Sequence, residues 1–516
     1  MTDSRSITGI LIFVGILLFG LWLGISIVTD KLQTLMYVSG GAALIICALL
    51  GRRVWMILPF AAALNLTLMI SGEPNTILLA QALFLGFSAL QFLIRQLKYR
   101  IKFTELELWI GLLTVCIIQA YVRNPIGLNI FGGDSIGARP YVIYAVSLTS
   151  CLVISILKVS ATDLRWIMRL SIIGGLINFA MLAIGYYVPR IGVWYGSVNH
   201  EAFGNNLSER GTYGVEKATR IEFVRDIANN LALWISSFIS PLRACFHPIW
   251  APLVGLSLAF AALSGFRSEI AAVGFTYLVG IAYRGGFTSV FISIITLVMG
   301  VGGVALINLT NPLPSNIQRS LSFLPGTWDQ VHVADAENSN QWRIDMWEAA
   351  LLTDHWIKNK TLGDGLGMTR DELEFIKSME GKQTGGVPGA GKLYLDQELM
   401  MASNNYHSGP VTTIRTIGYV GLAILLLAQI RLAVHAHRLI KQARKTNWFP
   451  LTLFIGIPII WSPVFFVFIF GDFGPAIASL LFGTAMVRLL ENNLPRPIKS
   501  ENNEITQSGT VSISNA

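Results

Sequence analysis

Charge is scarce in this 516-residue chain. Asp, Glu, Lys and Arg together make up 13% of it, against about 25% in a typical soluble domain. That deficit excludes an ordinary water-soluble globular protein of this size. Cysteine is scarce too. Cys47, Cys116, Cys151 and Cys245 all fall in or beside apolar segments. None stands in a long polar loop and none has metal-ligand spacing, so neither a disulfide framework nor a cysteine metal site is expected. Nor is a removable leader expected. The first apolar run, about 8–28, lacks a small-residue cleavage site and continues into "SIVTDK", which reads as a retained first helix. No internal repeat is found, and no convincing Walker sequence.

What is present in abundance is apolar sequence. The chain is 53% hydrophobic, with a mean hydropathy of +0.57. Crossing ~30 Å of hydrocarbon takes roughly 17–25 apolar residues in a helix. About fourteen runs approach or meet that length, near 8–28, 33–50, 54–71, 75–94, 105–121, 140–158, 166–187, 220–239, 249–265, 268–283, 287–308, 411–431, 449–470 and 473–490. The run at 220–239 opens with the polar "RIEFVRD", which leaves it open between a span and a helix lying at the interface. The net charge of +8 and pI near 9.3 reflect basic short loops, so no nucleic-acid partner is expected. The densest basic loops are "GRR" at 51–53, "RQLKYRIK" at 95–102 and "RLAVHAHRLIKQARK" at 431–445. Fourteen spans put all three on the cytoplasmic side, with both termini.

The expected fold is therefore an all-α polytopic membrane protein with about 12–14 transmembrane helices. Residues 1–308 form helices with outer loops near 122–139 and 188–219, 309–410 one large, mainly helical outer loop, and 411–491 the last helices. The polar tail, 492–516, is expected to be disordered and cytoplasmic. Inside the large loop, "NSNQWRIDMWEAALLTDHWI" carries Trp342, Met346 and Ala349 at helical spacing, an amphipathic helix lying on the membrane or under the loop. "TRDELEFIKSME" then has Thr369 and Glu372 at capping-box spacing.

Several outer-side residues have chemistry to offer. Arg267, in "LSGFRSEIAAVGF", is either an interfacial anchor or an anion ligand, because a guanidinium presents a fork of donors that suits phosphate. Arg343 sits beside Trp342 and is either an exposed helix-face charge or a second anion ligand. His407, in "NNYHSGPVTTIRTIGYVG", is either a helix-end residue or a general base, since imidazole titrates near neutrality. Gly363, Gly365 and Gly367 form either a turn or, more weakly, a phosphate cradle. Arg123, Asp134 and Arg139 belong to a loop that is either substrate-facing or a tight connection. His200 and Glu201 in "VNHEAF" read as solvated loop residues, with an acid/base pair as the alternative, and Asp472 in "FGDFGP" as a membrane-edge charge that either faces water or helps bind a substrate.

The order of these pieces resembles the O-antigen ligase and O-antigen polymerase family of bacterial inner-membrane glycosyltransferases, best over about 250–425. "SGFRSEIA" matches the family's arginine at a helix start, "WRIDMWEAAL" its loop arginine and tryptophan, and Gly363, Gly365 and Gly367 its spaced glycines. His407 matches the loop-ending histidine, followed by Gly418 and Gly421. Ser408 stands where the family usually has asparagine, and Thr416 where a glutamate is common.

The resemblance implies transfer of a glycan from undecaprenyl diphosphate to an acceptor sugar hydroxyl on the periplasmic face. The acceptor is lipid A–core or another glycan. It implies an inverting, metal-independent transferase without cofactor. His407 would be its base and Arg267 and Arg343 its diphosphate ligands; apart from the resemblance, Arg123 and Arg139 on the first outer loop stand as candidate substrate contacts. A polymerase joining repeat units is the alternative within the family, and a polysaccharide transporter the alternative outside it.

Overall fold

The computed structural model describes residues 32–68, 74–126, 137–188, 221–324, 326–367 and 404–494, with 374, 398 and 400–402. The expected span at 8–28, Asp134, His200, Glu201, the Thr369–Glu372 capping box and the tail from 495 lie outside the described residues. Within them the protein is all-helical, with no β-strand among the described residues.

The chain runs through α1 (Leu32–Leu50), α2 (Ile57–Leu64), α3 (Thr76–Leu93), α4 (Glu105–Arg123), α5 (Arg139–Ile156), α6 (Ala161–Tyr187) and α7 (Glu222–Phe238). It continues through α8 (Trp250–Leu263), α9 (Arg267–Thr310), α10 (Ser315–Leu321), α11 (Gln330–Leu352), α12 (Gly409–Ala443), α13 (Phe449–Phe468) and α14 (Phe473–Asn493). Polar residues mark the helix starts. Asn75 accepts from the Leu78 amide at 2.8 Å, Ser160 from that of Asp163 at 3.1 Å, and Thr104 and Glu107 form a capping box. Each satisfies amides that a helix N-terminus leaves over.

Nine helices among the described residues are long and apolar enough to cross a membrane. The expected twelve to fourteen spans differ from this number for physical reasons. The nine include Arg267–Thr310 as one element of 44 residues, which would be about 66 Å long if straight. Gly286 breaks it, with φ 75° and ψ −172°. Asn308 donates to Thr327 O at 2.7 Å and Ser320 to Ala262 O at 3.0 Å, which brings both ends of α9 to the same end of the bundle. The chain therefore reverses at Gly286, and α9 is two antiparallel arms.

α7 is not an interfacial helix. With 17 residues it falls short of the length for a span, yet it packs between α6, α8, α9 and α13. Ala228 and Ala232 are fully buried, as are Ser236 and Ser237. Thr276 Oγ1 donates to Asn229 Oδ1 at 3.1 Å, and Ser257 Oγ to Ala228 O at 2.8 Å. Its polar side chains find partners inside the bundle, where lipid cannot reach them.

The basic loops gather at one end of the bundle. Gln91 donates to Gly51 O at 2.6 Å, Lys158 N to Lys98 O at 3.0 Å, and Arg53 pairs with Asp163 at 3.0 Å. The Arg165 guanidinium lies 5.2 Å from the Trp448 ring centre. At this basic end a buried charge network ties α4, α12 and α14 together. Arg488, 1% exposed, pairs with Glu107 and with Glu491, each at 2.7 Å. His435 bridges Glu491 at 2.7 Å and Glu105 at 3.1 Å.

Candidate active site

The opposite end is organised around a broken helix. Ser408 starts α12 by accepting from the Val411 amide at 3.4 Å, but at Gly418 the backbone swings to φ 74° and ψ 179°. The break splits α12 into a short half-helix, 409–417, and a long one, 419–443. It also strips helical partners from the groups around it, and such groups must be paired when buried.

The partner is the loop 358–366. The amides of Asp364 and Gly365 donate to Arg415 O and Thr416 O at 2.7 and 2.9 Å. Beyond the break, the amides of Tyr419 and Val420 donate to Lys360 O and Thr361 O at 2.8 and 3.3 Å. Backbone lies directly on backbone, and this explains the glycines. A Cβ on Gly363 would stand 2.4 Å from Ile417 N, and one on Gly418 2.1 Å from Thr361 O. Both residues also have left-handed φ, 78° and 74°, which suits glycine. The amides of Gly363 and Gly365 are taken up inside the protein, by Asn359 O and Thr416 O. The glycine run is therefore a turn packed into a helix break, not a cradle whose amides face an anion.

Two arginines that sequence reading offered as substrate contacts meet different fates. Arg123, at the end of α4, donates to Leu362 O at 3.0 Å and to Gly363 O, while Gln119 donates to Leu362 O at 2.8 Å. Its guanidinium clamps the loop from outside. Arg139 is 4% exposed at the start of α5. Two residues on, the Tyr141 hydroxyl accepts from the Leu366 amide at 2.8 Å.

Asp364 and Arg415 were missed. The Asp364 carboxylate accepts from the amides of Lys358 and Asn359 at 2.8 and 2.9 Å and lies 3.9 Å from Arg415 Nε, with both side chains largely buried. Arg415 sits in the apolar run 411–431, and a guanidinium at such a place is a visible signal of a specific partner.

His407 stands just before the half-helix, with φ 47°. Its half-buried ring lies between Trp342 of α11 and Phe470 of the α13–α14 connection, at centroid distances of 6.1 and 5.9 Å. Trp347 Nε1 donates to Tyr406 O at 2.7 Å, fixing the residue before the histidine. α11 buries Met346 and Ala350 but leaves Ile344 and Leu352 exposed, so it lacks the continuous apolar face expected of it. Met346, Ala350, Ile357 and Tyr406 are fully buried and share a core with Val411 and Ile414 of the half-helix. The structure therefore brings His407 together with the helix that carries Arg343.

Asp472 caps α14 by accepting from the Phe473 amide at 2.6 Å. Burial pushes its carboxyl above the ordinary carboxylate range, against the pull of that amide. Arg267 opens α9 at the same end of the bundle, half-buried. Two residues on, Glu269 is 9% exposed, and its Oε1 has no hydrogen-bond partner. Among the described residues no group of three or more His, Cys, Asp or Glu side chains is placed to hold a metal ion.

No protein-family model matches this chain, and no curated protein matches it. The site is thus read from its own residues: an imidazole in an aromatic slot, arginines at the same end of the bundle, and a helix break closed by backbone pairing.

Proposed function

We propose that the protein is a multi-pass enzyme of the bacterial inner membrane that transfers a glycan from undecaprenyl diphosphate to an acceptor sugar hydroxyl on the periplasmic face, in the manner of an O-antigen ligase. The observation that carries the reading is the segregation of the two ends. The three basic loops meet at one end, which the positive-inside rule assigns to the cytoplasm. His407, Arg267 and Arg343 all belong to the other.

In this reading His407 takes the proton of the acceptor hydroxyl as its oxygen attacks the anomeric carbon. The bond from that carbon to the diphosphate oxygen breaks, and undecaprenyl diphosphate leaves with the bonding electrons. Negative charge grows on the diphosphate as the bond breaks, so Arg267 and Arg343 would hold the transition state more tightly than the ground state. Direct attack inverts the anomeric centre. The reaction needs no nucleotide, because the donor is already activated.

The test is surface glycan in a strain lacking the protein, complemented with wild type or with His407→Ala, Arg267→Ala or Arg343→Ala. The ligase reading expects carrier-linked long glycan and an unmodified core in the deletion strain, and all three variants to fail at normal protein level. Single repeat units on the core would instead identify a polymerase. One structural feature favours a transporter: α12 is interrupted, as helices that line transport sites often are. Against it, the break is filled by the protein's own loop.

A further inference from the structure

We propose that Asp364 is a positioning residue for His407, acting through the splint that holds the half-helix 409–417. This rests on the glycan-transfer reading for its consequence in activity, but its structural part stands on geometry alone.

The break at Gly418 means that the long half of α12 does not orient the short half through helical hydrogen bonds. The short half has to be oriented from outside. The loop 358–366 does this by bonding both sides of the break: to Arg415 O and Thr416 O before it, and from Tyr419 N and Val420 N after it. A splint works only if it is stiff, and its stiffness converges on Asp364. One carboxylate oxygen accepts the Lys358 amide and the other the Asn359 amide, which closes the loop on itself. The same carboxylate faces Arg415 at 3.9 Å, and Arg415 Nη1 reaches Gly365 O at 3.4 Å. Asn359 adds a brace by accepting the Leu362 amide at 2.9 Å. Asp364 thus couples the loop's shape to the half-helix it supports.

His407 is the residue that depends on this arrangement. It precedes the half-helix by one residue, and its ring occupies a slot between Trp342 and Phe470. A tilt of the half-helix about Gly418 would carry the imidazole out of that slot. Misplacing a reacting group by about 1 Å can cost roughly 100-fold in rate. Asp364 itself is spent on amides and a guanidinium, so it is a positioning residue and not a catalytic one. Arg123, Gln119 and Asn124 hold the same loop from α4, so loss of the carboxylate should loosen the splint without dissolving the fold.

The experiment compares wild type, Asp364→Ala and the milder Asp364→Asn as full-length protein in lipid nanodiscs. Amide hydrogen exchange is read over 409–420 and over 425–440, alongside glycan transfer. Positioning predicts faster exchange in 409–420 with 425–440 unchanged. It also predicts turnover about 100-fold lower in Asp364→Ala, with unchanged KM for donor and acceptor. Asp364→Ala combined with His407→Ala should be no slower than His407→Ala alone, because both act on one step. Unchanged exchange in 409–420 overturns the proposal. So does loss of protection across 425–440 in both variants, which would make Asp364 a residue of the fold only. If the wild type transfers no glycan but Asp364→Ala still loosens 409–420, the transfer reading falls while the positioning stands.

Discussion

The two halves of α12 are held by different means. The long half ends in charge: His435 lies between Glu105 and Glu491, and Arg488 beside it is buried between Glu491 and Glu107. The short half is held mainly by backbone bonds across a glycine break and by aromatic rings, with the single pair Asp364–Arg415 beside them. A buried ion network demands near-complete satisfaction and tolerates little change in geometry. A backbone splint draws mainly on main-chain groups, with Asp364 as its carboxylate brace. The anchoring end has spent its ionisable groups on one another, whereas the opposite end keeps an imidazole in a half-exposed slot. That contrast is the physical argument for placing chemistry at one end and not the other.

The sharpest way to break the contrast is at the anchor. Arg488→Met leaves Glu107 and Glu491 buried without their guanidinium, and loss of one partner of such a pair costs about 3–5 kcal/mol. Thermal unfolding in detergent, followed by size-exclusion, should show a large loss of stability. The comparable change at the splint is Gly418→Ala. Its Cβ would meet Thr361 O at 2.1 Å in a left-handed conformation, with an overpacking cost of about 1–3 kcal/mol. Here the long half-helix should keep its exchange protection while 409–417 loses it.

Smaller effects sharpen the comparison. The Ser408 cap is worth about 1 kcal/mol against alanine. Ser408→Asn should leave stability unchanged and Ser408→Ala should lower it, as read by unfolding temperature. That outcome would show serine and asparagine doing the same structural work at this position.

Asp472 supplies the pH test. Its folded carboxyl titrates above the ordinary value because it is buried. Its contribution to stability is therefore fully present below the ordinary carboxylate pKa and is lost as pH rises through the raised one. Asp472→Asn keeps an oxygen to accept from Phe473 and should flatten that slope. It should be neutral or slightly stabilising at pH 7, in unfolding temperatures measured from pH 4 to 8.

Much of the bundle was legible in the sequence, because lipid imposes a length and an apolarity that composition cannot hide. The reversal at Gly286 fell between two expected runs, 268–283 and 287–308. α7 was harder to read. Its polar opening, "RIEFVRD", makes it look interfacial, and only its neighbours reveal that the rest of the helix, with Asn229 and Ser236 paired to Thr276, lies inside the bundle. At the site, His407, Arg343 and the glycines were visible as residue types. Their relationship was not, because the bonds between 360–365 and 415–420 run through backbone, and only Gly363 and Gly418 mark them by lacking a side chain. Arg123 shows the same limit: its guanidinium meets loop carbonyls, which suit it as phosphate does, and the sequence does not say which it meets. Arg415, a charge within an apolar run, was the signal that most deserved a search for its partner.

The central claim is that His407 does chemistry and does not merely end a loop. The direct measurement is glycan transfer by purified His407→Ala in lipid nanodiscs, with unfolding temperature measured on the same preparation. The account predicts transfer reduced by about 100-fold or more, the scale of a lost general base, at an unfolding temperature within a few degrees of wild type. Wild-type transfer by a well-folded His407→Ala protein would contradict it.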